Sequence, residues 1–208
     1  MHISDGIMAP QVWAPLAVAG AAVVGLAARA ARKRLADESI PLVGLMGAFV
    51  FAIQMLNFPV AVGVSDHIVG AGLLAIVFGP SVAVLCMSAV VVIQVLLFGD
   101  GGIAALGANV CDMAVISVLT AWAVHRAFRR AWPNFAVWAG TFAGVMAGSM
   151  GAAAWVMLSQ PYGLKFLGAM MATHAVSGAV EMIVTVAVVN VLVSADVIKG
   201  GAPEVASA

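Results

Sequence analysis

The chain reads as a series of long apolar blocks separated by short stretches that collect glycine, proline and nearly all the charge. A helix that crosses a bilayer needs about 20 such residues at ~1.5 Å each. Blocks of this kind fall at 13–30, 41–58, 66–79, 81–98, 105–125, 134–157 and 167–195. The third is short and only Gly79-Pro80 divides it from the fourth, so the two also read as one bent block and the count as six. The pattern predicts an all-α integral membrane protein, a bundle of seven transmembrane helices in a single domain over 1–208. The first block is too long for a signal peptide and no small-residue cleavage site bounds it, so no removable leader is expected.

Composition points the same way. Of 208 residues, 64% are hydrophobic and 9% charged, against roughly 45–50% and about 25% in soluble domains. A single water-facing core cannot bury that fraction. Nine basic and nine acidic residues cancel, which leaves no field to draw a nucleic acid. Cys86 and Cys111 lie inside apolar blocks and read as buried thiols, not a staple.

The basic residues orient the bundle. Arg29, Arg32, Lys33 and Arg34 follow the first block, Arg126, Arg129 and Arg130 follow the fifth, and Lys199 follows the last. An N-terminus outside and a C-terminus in the cytoplasm puts all of these inside and leaves only Lys165 outside. That arrangement needs an odd number of spans. Trp122, Trp132 and Trp138 then fall near the inner boundary, Trp13 and Trp155 near the outer one. Small residues recur at helix-face spacing in Gly140, Gly144, Gly148 and Ala152, and in Ala17, Ala21 and Gly25. Such faces suit close packing within the chain or the docking of another membrane subunit.

Orientation also sorts the polar side chains by depth. His2, Asp5, Asp66, His67 and Asp100 fall at the outer surface; Asn109 and Asp112 share a helix face one to two turns inside; His174 lies about two turns inside the last block. His125 sits beside the inner arginines. Glu181 follows His174 on the same face, about 21 Å along the helix at ~1.5 Å per residue, too deep for an outer site and suited to a structural or coupling role. Ionisable groups at membrane depth usually mark a site or pathway, although hydrogen bonds to neighbouring helices are the simpler use of Asp112 and His174.

Met1-His2 offers three nitrogens in sequence: the α-amine, the His2 amide and the His2 imidazole. With the amide deprotonated they form two fused chelate rings, leaving one in-plane position for another histidine. Planar nitrogen ligation favours Ni(II) or Cu(II) over tetrahedral Zn(II). Taken alone, a histidine next to the first residue is usually accidental. His67, expected on the same side, gives the pair its interest.

These segments carry a resemblance. Met1–Pro10, MHISDGIMAP, resembles the MHIPDG opening of the cobalt/nickel substrate-binding subunits of energy-coupling-factor transporters, the CbiM/NikM family, with Ser4 in place of the proline. HIVGAGLLAIVFGP (67–80), GDGGIAALGAN (99–109) and THAVSGAVEMIVT (173–185) are similar to later segments of that family, in order along nearly the whole chain. Asp66 adds an unexpected charge before the histidine. The resemblance implies a nearly planar four-nitrogen site for Ni²⁺ or Co²⁺ as transported substrate, made by the Met1 amine, the His2 amide and imidazole, and His67. Asp66, Asn109, Asp112 and His174 are candidates to orient those ligands. It also implies a bacterial inner-membrane location and partners: a membrane coupling subunit, cytoplasmic ATPases and, in some systems, a small accessory membrane subunit.

The residues agree that energy comes from elsewhere, since no G-x-x-x-x-G-K-[ST] loop occurs and the lysines are Lys33, Lys165 and Lys199. No cofactor is expected. A stand-alone metal channel or secondary carrier is the alternative. An intramembrane hydrolase using Ser149 and His174 is a third reading, weakened by the glycine-rich packing context of Ser149 and the lack of H-E-x-x-H.

Overall fold

Proline marks where four of the helices begin, as expected for a residue whose missing N–H is not needed in a first turn. The computed structural model describes residues 1–35 and 39–198. Lys199, used above to orient the chain, lies outside them. In order come α1 (Pro10–Ala31), α2 (Ile40–Gln54), a hairpin of β1 (Phe58–Ala61) and β2 (Val64–Asp66), α3 (Ala71–Phe78) and α4 (Pro80–Ile93). Then follow α5 (Leu106–Asn109), α6 (Val118–Phe128), α7 (Pro133–Ser159) and α8 (Leu164–Ser194). A π-helical segment, Gln94–Phe98, extends α4, and another, Val110–Ser117, joins α5 to α6.

Among the described residues, five helices are long and apolar enough to cross a membrane: Pro10–Ala31, Pro80–Phe98, Leu106–Phe128, Pro133–Ser159 and Leu164–Ser194. These match five predicted blocks closely. The other two differ. The block at 41–58 becomes the 15-residue α2, because Phe58 already belongs to a strand. The block at 66–79 shrinks to the eight residues of α3, because Val64–Asp66 pair antiparallel with β1 and residues 67–70 run non-helical. Apolar content alone does not separate a helix from a buried hairpin, and Pro59 and the Gly63 turn decide for the hairpin here.

All eight residues of α3 are buried, the condition of a helix that is hydrophobic on every side. It packs among α4, α6 and α7, and at Gly72 a methyl group would overlap Thr141 of α7. The small-residue face of α7 is spent inside the chain: Gly140 and Gly144 press on Ala121 of α6, and Gly148 on Ser117 and the Met1 side chain. On α1, by contrast, Ala21 and Gly25 stay exposed. One apolar core surrounds α3 and α4; a second, built on Ile3, Met8, Ala152, Val156 and Met170, lies under the amino-terminal segment.

Candidate metal centre

Residues 1–9 fold back over the end of the bundle, pinned to the hairpin at Ile3. Ile3 bridges Val64 antiparallel, the Ser65 N–H donates to the His2 carbonyl at 3.1 Å, and the Ser4 N–H donates to the Gly63 carbonyl at 2.9 Å. Asn109 grips Ile3 from the other side, accepting its N–H at 2.9 Å and donating to its carbonyl at 3.0 Å. The Asp5 carboxylate accepts the Ile103 and Ala104 N–H groups at 3.0 and 2.8 Å. Gln160, at the end of α7, donates to the Ile7 carbonyl at 2.8 Å. Hairpin, 99–105 loop and two helices thus fix one short segment.

This clamp buries Met1 and His2 and brings His67 to them. The His2 and His67 rings stack with centroids 4.8 Å apart and 27° between their planes. His67 Nδ1 lies 2.9 Å from the Ile68 carbonyl, which assigns the proton to Nδ1 and leaves the Nε2 lone pair free. Among the described residues, neither His2 ring nitrogen nor His67 Nε2 has a hydrogen-bond partner. His2 Nε2 is 3.7 Å from the Asp100 carboxylate, itself held by Asn57 at 2.9 Å. Gly101, at φ +90, lets the loop pass close: a methyl there would stand 2.9 Å from Asn109 Nδ2 and 3.2 Å from His2 Nδ1.

Burial makes the three groups neutral bases. It lowers the Met1 amine from 8.0 to about 5, against the opposing pull of Asp112 first and then Asp66, Asp100 and Glu181. Burial and the neighbouring amine lower His2 from 6.5 to about 3. The same two causes hold His67 well below its ordinary value. Burial raises Asp66 and Asp100, with the amine opposing in both cases. Unprotonated nitrogens facing several carboxyl groups are a setting for a small cation.

The other predicted residues are placed unevenly. Asn109 acts through Ile3, as above. Asp112 is fully buried, hydrogen-bonded by neither carboxyl oxygen, and the nearest influence on the Met1 amine. Asp66 turns from the rings toward α8: its Oδ1 accepts the Ser177 hydroxyl at 3.0 Å and lies 3.2 Å from His174 Nε2, whose Nδ1 meets the Met170 carbonyl at 2.8 Å. His174 therefore reaches the site only through Asp66. Ser149 bonds to the Met146 carbonyl at 3.1 Å and meets the Met171 sulfur, not His174. Among the described residues no three His, Cys, Asp or Glu side chains gather to hold a metal.

Two residues escape the sequence reading, and a third, Glu181, is given there a structural or coupling role without a partner. Glu181, placed there too deep to join the site, accepts the Val69 N–H at 2.6 Å, because residues 67–70 descend into the bundle to meet it. Gln54 donates to the Val69 carbonyl, and the Gln94 side chain faces the His2 ring. Glutamines inside otherwise apolar blocks were the available signal.

Five helices long and apolar enough to cross a membrane, with Met1, His2 and His67 buried together at one end, define the class: a multi-pass membrane protein. The chain matches the CbiM family model, described as the cobalt uptake substrate-specific transmembrane region, over residues 2–197, and belongs to that family. A Haloquadratum walsbyi relative named for metal transport is 39% identical over 198 residues, 94% of this chain and 91% of that protein. An Archaeoglobus fulgidus relative named as a fused nickel transport protein, NikMN, is 38% identical over 96% of this chain and 68% of its own length. The crystal structure of a truncated transition metal transporter aligns with a TM-score of 0.89 at 33% identity, covering 94% of this chain and 99% of that one.

Proposed function

We propose that this chain is the substrate-binding subunit of an energy-coupling-factor importer for Ni²⁺ or Co²⁺. The metal is captured at the outer mouth by the Met1 amine, the His2 amide and imidazole, and His67. The observation that carries this is the buried pairing of the His2 and His67 rings, 4.8 Å apart, with three ring nitrogens lacking partners among the described residues. Nitrogens held neutral by burial need no deprotonation at pH 7, so the protons that binding displaces come chiefly from the His2 amide. Nitrogen ligands in one plane suit Ni²⁺, and Co²⁺ tolerates them.

The fused relative supports a membrane partner, because its name joins a second component to the portion this chain matches. Cytoplasmic ATPases complete the proposed assembly. The exposed Ala21–Gly25 face of α1 is the candidate docking surface, since the α7 face is already covered. The bundle sits with its N-terminus outside, in a bacterial inner membrane, with α2 and α3 taken as its two short spans.

The test is one extra residue before Met1. It moves the amine and should lower Ni²⁺ affinity at least ~100-fold, given that a lost ligand exceeds the 10–100-fold typical of outer contacts. Equilibrium titration of the purified protein measures this. Unchanged affinity rules out the ligand set.

A further inference from the structure

Residues 67–70 form irregular backbone at bundle depth, buried except for the half-buried Ile68. Such backbone needs partners from the protein itself. The helix that follows, α3, begins at Gly70 with no side-chain cap of its own, leaving its first N–H groups unanswered locally. Two side chains from other helices meet this need. Gln54 of α2 takes the Val69 carbonyl. Glu181 of α8 takes the Val69 N–H at 2.6 Å, and the Gly70 and Gly72 amides are also directed at its carboxyl group. Gly70, at φ +78, could not be replaced, since a methyl there would lie 2.7 Å from Val50.

His67 immediately precedes this turn, and its ring is held through the Ile68 carbonyl, which belongs to the same segment. We infer that Glu181 is a positioning residue for His67: it clamps the 69–72 turn from α8 and so holds the imidazole against the His2 ring. It touches neither the metal nor the imidazole. The inference rests on the ligand set proposed above and adds that α8 is mechanically tied to it.

The test uses Ni²⁺ added to the purified full chain in detergent, read by affinity and by the visible absorption of bound Ni²⁺. Glu181→Ala should weaken binding about 10–100-fold and alter that absorption. Glu181→Gln keeps an acceptor oxygen and the side-chain shape, so it should restore most of the affinity. In a His67→Ala background, where the Met1-His2 nitrogens still bind, Glu181→Ala should change affinity by no more than about twofold. An equal loss in both backgrounds, or no loss in the unaltered one, overturns the inference. Failure of the ligand set is a different result: His67→Ala would then bind Ni²⁺ like the unaltered protein. If Glu181→Ala does not fold, the Glu181→Gln arm stands alone, with a smaller loss that must also vanish without His67.

Discussion

At the scale of single residues, the site is set by side chains that hold backbone. Asn109 makes two hydrogen bonds to Ile3, one residue past the proposed chelate. Asn109→Ala leaves the Ile3 N–H unpaired, while the Ile3 carbonyl keeps the Gly102 N–H at 3.0 Å, and should destabilise the fold by about 1–3 kcal/mol. Metal affinity should fall with it, and melting and titration check the two effects separately. Acidity acts on the same residues. The unfolded amine gains its proton as pH drops through 8.0, while the buried one resists until about 5, so the unfolded state holds more protons in between. Stability is therefore fully present above pH 8.0 and is lost on the way down to about 5; His2 extends the loss between 6.5 and about 3. Asp66 and Asp100, raised by burial, act in the opposite sense just above their ordinary 3.8. Thermal melts across pH 8 to 5 should show a steady decline, and a flat profile would contradict a buried neutral amine.

At the scale of elements, the 99–105 loop and the 67–70 turn carry more of the site than any long helix does. Gly101→Ala should cost about 1–2 kcal/mol in backbone strain alone, and its methyl would press on His2 Nδ1. Gly25→Ala, with nothing within 4 Å, is the matched control and should leave melting and Ni²⁺ binding unchanged. The long helices were legible in the sequence because hydrophobic length is a one-dimensional signal. The hairpin was not, because Phe58–Ala61 continues the apolar run of α2 and its pairing depends on a partner strand and on Ile3. The shared side of His2 and His67 was legible from topology, whereas the segment that Glu181 holds was not. Depth counted along α8 says nothing of how far another segment descends to meet it.

At the scale of the whole molecule, polarity divides end from end. The site lies at one end, and Arg29 and Arg126 in the last turns of α1 and α6, with Arg32, Arg129 and Arg130 just after them, close helices that run away from it. Cysteine labelling in intact cells tests the proposed orientation, and the native Cys86 and Cys111 are buried. Gly163→Cys, in the α7–α8 turn at the site end, should react with an impermeant reagent. Ala131→Cys, in the exposed α6–α7 turn, should react only after permeabilisation; the reverse pattern would invert the bundle.

The grip on residues 1–3 also dictates an order of assembly. Ile3 is held by Asn109, and the Met1 side chain rests against Gly148, so its resting place does not exist until most of the polypeptide has been made. A nascent chain halted before α7 has the hairpin and Asn109 to seat Ile3, but neither Gly148 for the Met1 side chain nor Gln160 for Ile7. The seating of the amino-terminal segment is thus complete only once α7 stands in its place.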